Sequence, residues 1–405
     1  MPPAGNIAPL RKPSERTDYM WTSKKELQTA LKLAVQAKAE AYPAFVELGP
    51  SAPPKAENAP HGPHWRGNAV LRSCCGRWET KFYFSAPLEQ TIRVPFELFK
   101  NAVGTLDNRE CELVVQGGML TLWQGKDYLQ IGELAFGEGV QNDLPQFNLP
   151  PDGEVQSWLN TRETAAVADI LKQILHFTNE EGPGSEVYLE NRTGAYAGLE
   201  QLLMFCSDGY IAAAGRVRVE RLGGLGLFLV PVGAVKKLAR ALKRLPPAGL
   251  MLTLGGPYLR FTAGRFEVTA RLLEKQFLSP DIVQPRGIEA ALELDRGELM
   301  SFAKKASWAE VDIRFKYQDG HLHASGGGKT FGWDGRLSSG QEQPPQQLQF
   351  EFRVNAQRLL RALKGVEATQ VWLYYQPGGK LVYFKAGNID MVLVAEKPKE
   401  EQKHG

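Results

Sequence analysis

Between residues 230 and 245 the chain reads VPVGAVKKLARALKRL, with apolar residues at Val235, Leu238, Leu242 and Leu245. Steps of three, four and three put these on one stripe of an α-helix. Lys236, Lys237, Arg240, Lys243 and Arg244 occupy the other side, with no acid among them. The pattern predicts a helix that lies on an apolar layer and turns five positive charges outward. A solvated helix face ordinarily carries both signs, so this one asks for an anionic neighbour.

Two weaker copies of the stretch occur. Residues 94–106 read VPFELFKNAVGTL and residues 354–366 read VNAQRLLRALKGV. Each begins Val-Pro or Val-Asn, continues with a helical period, and is followed by a hydrophobic strand and a Gly turn. The turn glycines Gly117-Gly118, Gly255-Gly256 and Gly378-Gly379 fall 23, 25 and 24 residues after Val94, Val230 and Val354. Those valines are 136 and 124 residues apart, so the repeating unit has the size of a domain.

The same reading organises the rest of the chain. Ser23 caps a predicted helix at 24–40, with Leu27, Leu31 and Val35 on one face. Strands are predicted at 69–73, 78–84 and 90–94, and after the first repeat helix at 112–115, 119–123 and 128–131. A second unit has a helix at 161–179, strands at 186–189, 202–206 and 211–219, the basic helix, and strands at 251–254, 258–262 and 266–273. A third has a strand at 290–294, a helix at 297–308, strands at 312–317, 321–325 and 347–354, a helix at 355–366, and strands at 370–375, 380–385 and 391–394.

This predicts an α+β fold of three repeated domains, each with two helices on antiparallel sheet, at 17–150, 151–287 and 288–397. Residues 1–16 and 398–405 read as disordered tails, and 49–67 as a Pro-rich surface loop.

Composition narrows the class. At 405 residues with 43% hydrophobic content the chain is an ordinary globular protein. It has no run of about 18 apolar residues and no signal-peptide core, which predicts a soluble, cytoplasmic protein with no membrane partner. Cys74, Cys75, Cys111 and Cys206 make neither a disulfide framework nor a zinc spacing.

Net charge is only +3, but the six predicted helices together carry +8, leaving −5 for everything else. Charge sorted onto helices suits a surface that faces phosphates. Such contacts bind without reading bases and are salt-sensitive.

Four motifs then matter together: FCSDGY at 205–210, VPVGAVKKLARAL at 230–242, Phe277 with Pro280-Asp281, and FRVNAQRLLRAL at 352–363. With the triplicated unit, their order and spacing resemble the bacterial DNA sliding clamp, the β subunit of DNA polymerase III, over residues 17–395. The resemblance implies a clamp fold closed as a head-to-tail ring of two chains. It also implies a homodimeric processivity factor that encircles double-stranded DNA, tethers DNA polymerase through clamp-binding peptides, needs a clamp loader ATPase, and associates with the nucleoid.

The candidate DNA-facing residues are Lys24, Lys25, Lys32, Lys236, Lys237, Arg240, Lys243, Arg244, Lys304, Arg358, Arg361 and Lys364. The family's partner-peptide pocket maps to Leu189, Ser207, Gly209, Tyr210, Ile211, Pro280, Val283, Val392 and Val394, and its dimer interface to Tyr128 and Trp308. The chain departs from the family at Tyr210-Ile211-Ala212, where a basic residue is lost, and at Val394-Ala395-Glu396-Lys397, where the apolar terminus is replaced. These departures admit a second reading, a clamp-fold paralogue that binds or sequesters partners without encircling DNA.

Other chemistry is weakly signalled. The stretch SGGGKT at 325–330 has His323 where a phosphate loop needs its first Gly. His321 with His323, and His61 with His64, have no carboxylate or Cys completing a metal set. No nucleophile has an evident base, so neither catalysis nor a metal or other cofactor is expected.

Overall fold

In a computed structural model of the chain, the described residues are 22–34, 44–51, 69–134, 147, 155–180, 184–193, 200–220, 222–223, 226–309, 312–319, 321–327, 332–337, 349–376 and 380–396. The chain divides near Leu144 into two compact units.

The first unit runs β1 (Thr22–Ser23), α1 (Lys24–Leu33), β2 (Phe45–Pro50), β3 (Ala69–Cys74) and β4 (Trp78–Phe84). It continues with β5 (Ile92–Pro95), α2 (Phe96–Thr105), β6 (Glu110–Gln116), β7 (Met119–Gln124) and β8 (Asp127–Gly132). The path strand-helix-three strands is therefore taken twice. The two halves exchange their first strands, giving sheet orders β1-β6-β7-β8 and β5-β2-β3-β4.

The second unit takes the same path four more times. Its first pair is β9 (Val155–Leu159), α3 (Thr161–Ile174), β10 (Glu186–Thr193), β11 (Glu200–Ser207) and β12 (Ile211–Val219), then β13 (Leu227–Pro231), α4 (Val232–Arg244), β14 (Leu250–Gly255), β15 (Tyr258–Ala263) and β16 (Phe266–Arg271). Its second pair is β17 (Ala290–Asp295), α5 (Arg296–Trp308), β18 (Asp312–Gln318), β19 (His321–Gly327) and β20 (Gly332–Leu337), then β21 (Phe350–Asn355), α6 (Ala356–Gly365), β22 (Gln370–Tyr375), β23 (Leu381–Ala386) and β24 (Ile389–Glu396). The strand exchange recurs in the orders β13-β10-β11-β12, β16-β15-β14-β9, β21-β18-β19-β20 and β17-β22-β23-β24. Three of these four halves, β13-β10-β11-β12, β17-β22-β23-β24 and β21-β18-β19-β20, lie in one continuous sheet, in which β12 and β24 join edge to edge, from Ile211 opposite Leu393 to Gly215 opposite Ile389.

The repeated sequence motif is now explicable. Val94, Val230 and Val354 are fully buried at the ends of β5, β13 and β21. The next residue, Pro95, Pro231 or Asn355, is the N-cap of the helix that follows. Proline fixes φ near the value a helix entry needs, and Asn355 instead accepts a hydrogen bond from Arg358 N at 3.1 Å. In α3 the cap is a reciprocal box between Asn160 and Glu163. Gly118 (φ 72°) and Gly256 (φ 54°) make the turns after the helices, a left-handed backbone that favours glycine.

Each helix buries one stripe and shows the other. On α4, Val235 and Leu238 are 1% exposed, and each such burial contributes about 1.5–3 kcal/mol. Pro246 and Pro247 follow the helix and end it.

Several expectations change in detail. The helix predicted over 24–40 stops at Leu33, because Ala34 is extended (ψ 154°). Val35, the tails at 1–16 and 398–405, and His61 and His64 lie outside the described residues, as does all but the start of the 49–67 loop. Strands β1, β2, β9, β13 and β20 were not expected from sequence. The run from Leu227 to Pro231 merges with the helix that follows it, and β2 ends in Gly49-Pro50, which reads as a turn.

Candidate functional site

Two surfaces of the second unit collect the predicted residues. On α4, Arg240, Lys243 and Arg244 are exposed, while Lys236 and Lys237 are half-buried. Lys236 Nζ lies 3.2 Å from Glu180 Oε1 on the chain after α3. Burial, and then the neighbouring Arg240, push the Lys237 ammonium down to about 8. Helices α3 and α4 pack together, and α6 packs on the 3-10 turn Leu175–Phe177 that ends α3. His176 in that turn is pushed down by burial and then by Arg361, Lys172 and Lys236, cations from three helices. Each of these three cations also has an acidic partner, Lys172 in Glu367, Lys236 in Glu180 and Arg361 in Asp208.

The remaining candidates are less uniform. Lys25, Lys32, Lys304 and Lys364 are exposed on their helices, whereas the Lys24 ammonium donates to the Leu106 carbonyl. Arg361 is committed within the protein. Its Nη1 donates to Asp208 Oδ2 at 2.7 Å, its Nε to the His176 carbonyl at 2.6 Å, and its Nη2 to the Thr178 carbonyl at 2.5 Å. The Arg358 guanidinium lies 3.7 Å over the Tyr210 ring. Both arginines thus brace the Ser207–Ile211 turn in this structure.

That turn is the second surface. Asp208 Oδ1 accepts from Tyr210 N and Ile211 N at 2.9 Å each, while Gly209 N donates to Ser207 Oγ at 3.1 Å. Gly209 has φ 93°. Behind it sits Gly184 (φ 82°), where a Cβ would lie 2.3 Å from the Ser207 carbonyl oxygen. Opposite the turn, Val394 N donates to the Tyr210 carbonyl at 2.9 Å.

The mapped pocket residues do not all face one way. Val283 and Val392 pack in one apolar cluster with Tyr188, Leu203, Phe205, Ala212, Ala214, Leu229 and Tyr383. Phe277 stacks on Tyr188 with centroids 5.8 Å apart. Pro280 is buried on the adjoining 3-10 turn Pro280–Val283.

Leu189 pairs across β11 with Met204, and Met204 with Gly215, whose missing Cβ would meet Ile170 of α3. Leu189 and Ile211 therefore sit on the helix-side face, and Tyr188 and Ala212 take their places in the cluster. Successive strand residues point to opposite faces of the sheet.

The cluster is filled by the chain's own side chains, with Val283 1% and Val392 3% exposed. Beside it a cavity of about 310 Å³ is lined by residues including Ser279, Asp281, Ile282, Gln284, Arg286 and Tyr383. Arg192 fixes its rim, donating to Asp281 Oδ1 at 3.0 Å, and this holds the Asp281 carboxyl below its usual range. Ile282 and Tyr383 offer apolar contact among polar side chains, a mixture that suits an anchor of a short peptide. Nothing in single-sequence periodicity could have named Gly184, Tyr188 or Arg286.

Among the described residues, Tyr128 and Trp308 are 49% and 80% exposed. No three His, Cys, Asp or Glu side chains there could hold a metal ion, and no helix is long and apolar enough to cross a membrane. His321 Nδ1 lies 2.5 Å from Arg336 Nη2.

No protein-family model and no curated protein sequence matches the chain. Solved structures do. The DNA polymerase III β subunit of Thermotoga maritima matches with TM-score 0.74 at 13% identity, covering 94% of this chain and 99% of that one. The DNA polymerase sliding clamp of Caulobacter crescentus matches with TM-score 0.75 at 13% identity, covering 94% and 99%. The DNA polymerase III β subunit of Pseudomonas aeruginosa matches with TM-score 0.73 at 15% identity, covering 94% and 100%. With six strand-helix-three-strand passages among its described residues, the chain has the fold of the DNA polymerase III β-subunit sliding clamps.

Proposed function

We propose that the chain is a sliding clamp, a non-enzymatic processivity factor. Two copies close head to tail around duplex DNA, and each ring tethers a polymerase and other factors that present short peptides. The three sequence repeats are its domains, at 17–150, 151–287 and 288–397. The observation that carries this reading is α4, a helix of the clamp fold with five cations and no acid. Uniform charge of that density binds phosphates without base readout, which is what a sliding contact requires. A separate ATPase, the clamp loader, opens the ring.

The joint between β12 and β24 supports ring closure. β12 is the last strand of a first half and β24 the last strand of a second half. β20 and β8 are edges of the same two kinds, and among the described residues each pairs on one side only. Pairing β8 of one copy with β20 of the next repeats the existing joint and hides two sheet edges. Tyr128 on β8 and Trp308 at the end of α5 are the aromatic anchors offered at this interface.

The test is the variant with Lys236, Lys237, Arg240, Lys243 and Arg244 all changed to Gln. It keeps its unfolding midpoint while DNA binding weakens and its salt dependence flattens. Unchanged salt-dependent binding rules the reading out.

The commitment of Arg361 to Asp208, and the net −1 and 0 on residues 161–180 and 95–106, favour the second reading, a clamp-fold paralogue that sequesters partners without encircling DNA. It predicts a monomer with an active pocket.

A further inference from the structure

The sheet face that carries the apolar cluster continues past it into a polar cleft. Alternation along β12 puts Ala212, Ala214, Arg216 and Arg218 on one face, and the register places Ala212 opposite Val392 and Ala214 opposite Asp390. On β23, Tyr383 and Lys385 stand opposite Val392 and Asp390 on the same face. Two paired strands thus lead from the cluster to a cavity of about 270 Å³ lined by Gln201, Arg216, Arg218, Lys385, Asn388 and Asp390. Lys385 lies two residues from Tyr383, about 7 Å at the rise of a strand.

The cleft is electrostatically incomplete. Three cations converge with one carboxylate, and Asp390 is already engaged by the Arg216 guanidinium. Among the described residues neither Arg218 nor Lys385 has an ion-pair partner. A guanidinium offers a planar fork of donors that matches a carboxylate, and Gln201 and Asn388 supply neutral polar groups beside it.

We propose that Arg216, Arg218 and Lys385 form a carboxylate-binding subsite that receives an acidic stretch of a partner peptide anchored in the cavity beside the apolar cluster. This rests on the reading of that cavity as a peptide site, and adds a specificity to it. Partners with Asp or Glu a few residues beyond their apolar anchors reach the cleft, since an extended peptide covers about 3.3–3.6 Å per residue. Partners with basic flanks are repelled.

The test is fluorescence anisotropy on the full chain with two families of labelled peptide. One has Leu and Phe anchors with neutral Gly-Ser ends, and the other carries four acidic residues added at one end or the other. At low salt one acidic peptide binds about five- to tenfold tighter than the neutral one, the scale of two partly exposed ion pairs. The gain disappears in 0.5 M salt and in the Arg218→Ala, Lys385→Ala double variant, whose affinity for the neutral peptide is unchanged. Equal binding of neutral and acidic peptides overturns the subsite and leaves the peptide site standing. A gain that survives the double variant also overturns it. Failure of every peptide to bind removes both.

Discussion

Asp208 holds its own turn with one carboxylate oxygen and Arg361 with the other. Oδ1 caps the amides of Tyr210 and Ile211, and Oδ2 accepts from Arg361 Nη1 at 2.7 Å. The Asp208 side chain is only 8% exposed, so the pair is shielded although Arg361 itself is 36% exposed. The candidate peptide turn is thereby fixed to α6. Arg361→Ala leaves a shielded carboxylate without its partner and costs about 1–3 kcal/mol. Urea unfolding measures that loss, and a double-mutant cycle with Asp208→Asn gives a coupling of the same order. A coupling near zero would mean the contact carries no stability.

Gly184 supports the same turn from behind. Its φ of 82° and the Ser207 carbonyl at 2.3 Å from a built Cβ leave no room for a side chain. Gly184→Ala therefore destabilises by about 1–3 kcal/mol and weakens peptide binding together with it. Thermal unfolding and peptide titration on the one variant check both effects.

Lys237 titrates near the working pH because burial and Arg240 press its ammonium down to about 8. A phosphate alongside favours the charged form and pushes the value back up. Binding of duplex DNA at pH 8 should then take up a proton, to a limit of about half a proton per chain. Calorimetry in buffers of different ionisation enthalpy reads this directly. Uptake should vanish in Lys237→Gln, and proton release would have the wrong sign for a phosphate contact.

Strand β8 has its first four residues exposed, including Tyr128 and Leu129. Charging both, Tyr128→Lys with Leu129→Lys, should leave a folded protein of 44.9 kDa that no longer pairs with a second copy. Sedimentation velocity checks this, and an unchanged assembly would place the interface elsewhere.

Much of this arrangement was legible in the sequence. The period of α4 and the three Val-Pro or Val-Asn starts located the helices because a strand end followed at once by an N-cap is a local signal. The meanders after each helix could be read from alternation and Gly turns. What escaped was the partner of each residue. The periodicity of 352–363 shows Arg358 and Arg361 on a polar helix face. That Arg361 turns to Asp208, 153 positions earlier, is a tertiary fact with no local trace. The face that Leu189 and Ile211 take is a tertiary fact of the same kind, since it depends on register across β11 and β24. The basic cleft is likewise assembled from β12, β23 and β24, and Arg216 and Arg218 on β12 say nothing by themselves of the Lys385 and Asp390 brought beside them.

Encirclement of DNA requires two copies closed as one ring, so mass in solution decides it. Light scattering behind gel filtration, run across a range of concentrations, should give a mass near twice 44.9 kDa. A mass that stays at 44.9 kDa throughout would contradict encirclement and make sequestration of clamp partners the function of this fold.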